Sequence, residues 1–192
     1  MSEVRTAKAD VISKVCTFIS ERNTESAKAI LENNYPFLAL ENPGRRWSQL
    51  QALRVFQRDE FTDRYTGLRL VFPGTLRVLS LELPDVFPFH KNWKTDACHF
   101  AYYELFPTID HLVPVSRGGV DNETNWITTS MLKNAAKGNF TIEELGWDLF
   151  PKRSSEWDGL TTWFSETVKD KPDLLADKSI STWHRALTAS KL

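Results

Sequence analysis

Residues 108–137 read TIDHLVPVSRGGVDNETNWITTSMLKNAAK, and the way this run folds decides the architecture of the chain. Thr108 to Pro114 is rich in β-branched and apolar residues and stops at a proline. Ser116-Arg117-Gly118-Gly119 supplies glycines suited to positive φ, Asn125 to Ser130 returns to β-favouring residues, and Met131 to Lys137 is a good helix former. The predicted order is strand, turn-rich loop, strand, helix. Asp110 and His111 then lie near the end of the first strand and Asn125 at the entry to the second. Asn134 and Lys137, three residues apart, share one helix face.

Such residues suit phosphodiester hydrolysis. That reaction needs a base to take a proton from water, a cation against the charge that develops on the phosphoryl group and leaving oxygen, and groups that hold both in line. Histidine is the side chain that ordinarily titrates near neutrality, so His111 is the candidate base. Asp110 offers a hard oxygen ligand and the amide oxygen of Asn134 a second. Each piece has an everyday structural use as well: an acid and a histidine at a strand end, a Gly-Gly turn, an asparagine at a strand entry. Their joint occurrence is the signal.

Working outward, 192 residues with 41% hydrophobic and 12% aromatic content can bury a core as one domain, or as a small module wrapped by extra helices. No run approaches the roughly 20 apolar residues of a membrane span, and the N-terminus MSEVRTAKADVISK lacks the apolar block of a signal peptide. The expectation is a soluble, cytoplasmic protein without a membrane partner. Cys16 and Cys98 lie far apart with no CxxC, which argues against a disulfide framework and a cysteine zinc ribbon. His90, Cys98 and His99 fall short of the usual four zinc ligands and are read as structural, and His184 suggests no role.

The net charge of −1 and pI near 6.4 do not advertise a nucleic-acid binder. Between Arg45 and Arg77, however, seven arginines face three acids, a local excess of four positive charges. Arginine's planar fork suits phosphate. Arg58 and Arg64 from this run, with Arg117 in the SRGG turn, are the candidate nucleic-acid contacts, against the plainer reading of a solvated surface with ordinary ion pairs.

Apolar spacing predicts helices over residues 3–20, Thr24–Asn33 and from about Trp47 to Asp59, with NPGRR as a break. Phe61 to Asp96 is ambiguous, because LRLVF and LRVLSLEL fit strands or buried helical turns equally. Thr141 followed by Glu144 predicts a capping box opening IEELGW. Two more helices are expected near 155–169, with Trp157, Leu160, Trp163, Phe164 and Val168 as an apolar stripe, and over 172–190.

The central residues resemble the core of the HNH, or ββα-metal, endonucleases, which runs roughly D-H-aliphatic-x-P-x-S-x-G-G, a loop, N-hydrophobic, then a helix carrying H or N and a following K. Asp110-His111-Leu112, Pro114, Ser116, Gly118-Gly119, Asn125-Trp126, Asn134 and Lys137 stand in register with it. RDEFTDRYTG, Arg58 to Gly67, resembles the family's upstream knuckle with Asp63 or Arg64 to Thr66 in place of cysteines. Ser130 and Lys133 occupy the positions of a second cysteine pair, so a structural zinc is not expected and packing by flanking helices must replace it. Asn134 makes this an H-N-N version.

The resemblance implies an α+β fold with a ββα-metal core flanked by N- and C-terminal helices, divided as residues 1–57, 58–150 and 151–192. It implies a DNA endonuclease using one Mg2+ or Mn2+ ion, with Asp110 and Asn134 as metal ligands and His111 as general base. Asn125 would orient the His111 backbone or ring across the loop, and Lys137 would steady the phosphate or pair with an acid at the surface. One such site cuts one strand, so double-strand cleavage would take two nicks or a homodimer. A catalytically silent DNA-binding or scaffolding module is the competing expectation.

Overall fold

The computed structural model describes residues 2–37, 47–151 and 156–191. Arg45, Arg46 and the NPGRR break lie outside the described residues. The chain divides into two compact units, Met1–Pro43 and Gly44–Leu192. In the first, α1 (Ser2–Ser20) and α2 (Thr24–Asn34) pack on each other. Their link is short because Arg22 takes a left-handed φ of +59° and Asn23 caps α2, its side chain accepting from the Ser26 amide at 3.1 Å. No helix among the described residues is long and apolar enough to cross a membrane.

The second unit mixes helix and sheet, an α+β arrangement. It contains α3 (Gln49–Arg58), α4 (Pro73–Glu82), α5 (Ala101–Glu104), β1 (Pro107–His111), β2 (Trp126–Ser130), α6 (Met131–Lys137), α7 (Ile142–Leu145), α8 (Thr161–Asp170) and α9 (Lys178–Ser190). Ser48 and Gln51 form a capping box at α3, and Thr141 and Glu144 form the expected one at α7. The ambiguous LRVLSLEL is helical. Pro73 at its first turn supplies a pre-set φ and lacks only an N–H that would be unpaired there anyway.

The expected helix near 155–169 begins only at Thr161, and residues 152–155 lie outside the described residues. Gly159 and Leu160 both have positive φ, and a Cβ on Gly159 would come within 2.5 Å of the Phe61 ring, so the chain turns there before it coils. The proposed stripe is therefore divided: Phe164 and Val168 are buried, Trp163 is 39% exposed, and the Trp157 indole donates to the Leu70 carbonyl at 2.8 Å. Pro172–Ala176 is a 3-10 turn, and Asp177 caps α9 through the Ser179 and Ile180 amides.

The strands are antiparallel, with Asp110 opposite Ile127 and His111 opposite Trp126. A two-stranded ribbon is marginal on its own and must be covered. Helix α3 packs on both strands and on α9. Leu53, Val55, Phe56, Ile109, Trp126, Phe164 and Ile180 belong to one buried cluster. Thus α3, which crosses the expected boundary between residues 57 and 58, joins the ribbon and the C-terminal helices in a common core.

Side chains close both edges of the ribbon. On the outer edge of β2, Asp59 Oδ2 accepts from the Thr128 amide at 2.9 Å, Asp63 Oδ2 from the Ser130 amide at 2.9 Å, and Arg58 donates to the Trp126 carbonyl at 2.6 Å. On the outer edge of β1, Asn134 donates to the Ile109 carbonyl at 3.1 Å and Lys137 to the His111 carbonyl at 2.7 Å. Backbone groups that would otherwise be buried without partners are thereby satisfied.

Candidate active site

The turn between the strands is built by glycine and Asn125. Gly118 has φ +86°, and a Cβ on Gly119 would lie 1.9 Å from the Val113 carbonyl oxygen, which only glycine tolerates. The Asn125 amide donates to the Val113 and Val120 carbonyls, both at 2.8 Å, and its oxygen accepts from the Val113 amide at 2.9 Å. Asn125 thus braces the loop that follows His111, and among the described residues its side-chain hydrogen bonds go to Val113 and Val120 and not to the imidazole.

The short helix α6 then lies along β1. Ser130 caps it, accepting from the Lys133 amide at 3.2 Å, and Gly138 ends it with φ +53°. Lys137 does pair with an acid, but in the interior and not at the surface: it is fully buried and sits 3.1 Å from Asp110 Oδ2. The Tyr65 hydroxyl donates to the same oxygen at 2.6 Å. Burial, together with the charge and hydrogen bond of Asp110 and the charge of Asp63, pushes the Tyr65 phenol far above its ordinary value, so it stays a neutral donor.

Asn134 Nδ2 bonds the Ile109 carbonyl and Thr108 Oγ1, the latter at 3.0 Å. Because a carbonyl can only accept, this fixes which end of the amide faces β1 and leaves Oδ1 as the outward end. Neither Asn134 Oδ1 nor Asp110 Oδ1 takes a bond from the described residues. No group of three or more His, Cys, Asp or Glu among the described residues is placed to hold a metal. A cation centre here would rest on one carboxylate and one amide, with water and substrate oxygens completing its shell, a donor set that fits Mg2+ or Mn2+.

His111 is 2% exposed, and its Nε2 lies 2.7 Å from Asp121 Oδ1. The Trp126 indole N–H is 3.0 Å from His111 Nε2 and 2.9 Å from Asp121 Oδ1. The Trp47 ring stands 6.2 Å from the imidazole, centre to centre. Asp121 and Tyr65 are neighbours of His111 and Asp110 that sequence reasoning missed, and Trp126, which stood in register with the motif, adds its indole N–H beside the imidazole. Asp121 stands in a run of Asp-Asn-Glu that reads as an ordinary polar turn, so spacing alone gave no sign of it.

The candidate arginines all have partners within the chain. Arg58 donates to Asp59 at 3.1 and 3.0 Å and to the Glu123 carbonyl at 2.9 Å. Arg64 donates to the Phe150 carbonyl at 2.7 Å and lies 3.4 Å from Asp59. Asp59 is fully buried, so the two guanidinium groups offset a charge that would be costly alone. Arg77 pairs with Asp177, Arg69 lies over the Trp157 ring, and Arg117 bonds Glu144 at 3.2 Å in a half-exposed pair worth little.

His90, Cys98 and His99 are used in local turns. The His90 amide donates to Cys98 Sγ at 3.1 Å, and His99 Nδ1 accepts from the Ala101 amide at 3.1 Å while its ring stacks on Phe87.

Comparison of the chain with protein-family models, curated proteins and solved structures returned no match.

Proposed function

We propose that the protein is a divalent-metal-dependent DNA endonuclease of the HNH, or ββα-metal, type, hydrolysing phosphodiester bonds with His111 as general base. The observation that carries the reading is the docking of α6 on the end of β1: Asn134 meets Ile109, and Lys137 meets Asp110 and His111, so residues far apart in sequence converge on three consecutive strand positions. The Asp63 bond to the Ser130 amide supports the same reading, because it ties the upstream turn to the start of α6 where the resembling family carries paired cysteines.

In this mechanism His111 takes a proton from the attacking water as its oxygen bonds to phosphorus, the P–O3′ bond breaks, and the leaving 3′ oxygen takes a proton from solvent water, giving 5′-phosphate and 3′-hydroxyl ends. Asp110 and Asn134 would hold the ion, which when bound supplies positive charge against the phosphoryl oxygens and the leaving oxygen. Tyr65 holds the Asp110 carboxylate in one orientation, and Lys137 keeps a positive charge against it. Asn125 and the two glycines fix the loop beside the base.

A second reading, a catalytically silent DNA-binding or scaffolding module, is favoured by two facts: the His111 ring is almost fully buried, and Lys137 already neutralises Asp110. A supercoiled-plasmid assay with magnesium or manganese, with and without EDTA, separates the two. Metal-dependent nicking that is lost in His111→Gln supports the nuclease. Plasmid binding without nicking under every metal condition supports the silent module.

A further inference from the structure

We infer that Asp121 is a positioning residue that holds the hydrogen of neutral His111 on Nε2, leaving Nδ1 as the basic nitrogen; the inference builds on the nuclease reading by specifying which atom of its base accepts the proton. His111 Nε2, Asp121 Oδ1 and Trp126 Nε1 form a triangle with sides of 2.7, 2.9 and 3.0 Å. A neutral imidazole has one N–H. With that hydrogen on Nδ1, the bare Nε2 would face a carboxylate oxygen at 2.7 Å, acceptor against acceptor. With it on Nε2, both the imidazole and the indole donate to the same Asp121 oxygen, whose two lone-pair sites accommodate them.

Burial sharpens the choice. His111 and Trp126 are 2% and 4% exposed, and Nε2 is enclosed by Asp121 and the indole, so water cannot easily supply on that side the partner that the wrong tautomer would lack. The loop delivers Asp121 by design of its neighbours: Asn125 grips the Val120 carbonyl at 2.8 Å, one residue before Asp121. Gly119, where no Cβ fits, lets the chain pass beside Val113 on the way.

The same triangle predicts what happens when the acid is removed. In Asp121→Ala the indole N–H remains 3.0 Å from Nε2 and becomes its donor, which moves the imidazole hydrogen to Nδ1. The nitrogen intended to receive the proton from water is then already occupied. A residue acting only through packing would not invert the tautomer.

The test is a long-range nitrogen–proton NMR spectrum of the uniformly 15N-labelled full chain at about pH 8.5, where a free imidazole is neutral. His111 is assigned among the four histidines by comparison with His111→Gln. The expected results are an Nε2–H tautomer in wild type, Nδ1–H in Asp121→Ala, and a return toward a mixture in Asp121→Ala/Trp126→Phe, which lacks the indole donor. Single-turnover plasmid nicking should fall about 10²-fold or more in Asp121→Ala, the scale of losing a general base, with partial rescue in Asp121→Glu. An Nδ1–H tautomer in wild type overturns the inference without any variant having to fold, and so does an Nε2–H tautomer retained in Asp121→Ala. If the tautomers behave as stated while no protein nicks DNA, the positioning role stands and the nuclease reading falls.

Discussion

Replacing Lys137 with methionine tests the centre of the site, because it keeps an unbranched stem of similar volume at a fully buried position and removes the ammonium group, with sulfur in place of one methylene. The variant loses the 3.1 Å ion pair to Asp110 and the 2.7 Å hydrogen bond to the His111 carbonyl, and leaves a 7%-exposed carboxylate with Tyr65 as its remaining donor. Breaking one side of a buried pair costs roughly 3–5 kcal/mol. At about 2–4 °C per kcal/mol for a chain of this size, the midpoint should fall by about 6–20 °C. Urea and thermal unfolding followed by tryptophan fluorescence measure this, and all seven tryptophans lie beyond residue 44, so the signal reports on the unit that holds the site. Asp110→Asn/Lys137→Met should recover stability, leaving a deficit about 2 kcal/mol smaller than the sum of the two single changes, since no buried charge is then stranded. Magnesium should stabilise Lys137→Met more than wild type, because Asp110 has lost its resident cation. A loss below about 1 kcal/mol, or strict additivity in the cycle, would refute the pairing and the site geometry built on it.

Asn134→His should shift cleavage toward nickel and cobalt, which accept imidazole readily, whereas Asn134→Ala should lose activity with every metal; initial nicking rates across a divalent series decide, and wild-type rates in Asn134→Ala would remove it as a ligand. Gly119→Ala should cost about 2 kcal/mol or more in urea unfolding, because its Cβ would sit 1.9 Å from the Val113 carbonyl oxygen; a neutral result would contradict the loop path. Burial alone would raise the Asp177 carboxyl, but the bonds from Arg77 and from the Ile180 and Ser179 amides outweigh it and hold the group below its ordinary value. A depressed folded value stabilises above the unfolded value of about 3.9 and loses that contribution as pH falls below it, so the advantage of wild type over Asp177→Asn, which keeps the cap but loses the charge against Arg77, should shrink in acid unfolding below about pH 4.

The strand, loop, strand and helix of residues 107–137 were legible because β propensity, glycine turn chemistry and helix propensity change at the same boundaries. Helix α4 was not: Val71 to Leu76, Val78 and Ser80 are all buried, so no one-sided periodicity distinguishes it from a strand. Composition found the excess of arginine but not its partners within the chain, since Arg58 and Arg64 meet Asp59, and Arg77 meets Asp177 a hundred residues away. The residues around Asp110 and His111 show the same division. Asn134 and Lys137 announced themselves by spacing on a helix, whereas Tyr65 and Asp121 reach the site through tertiary folding that no local pattern encodes.

The closure of both ribbon edges bears on how two copies of this chain could cooperate. Strand addition across a shared sheet is the simplest way for small β-containing proteins to pair, and also the commonest route to unwanted self-association. Here Asp59, Asp63 and Arg58 occupy that position along β2, and Asn134 and Lys137 occupy it along β1. A docking strand would have to evict charged side chains that also hold the site together. Any dimer built for paired nicks on opposite DNA strands must therefore meet through helical or loop surfaces, leaving each ribbon intact inside its own subunit.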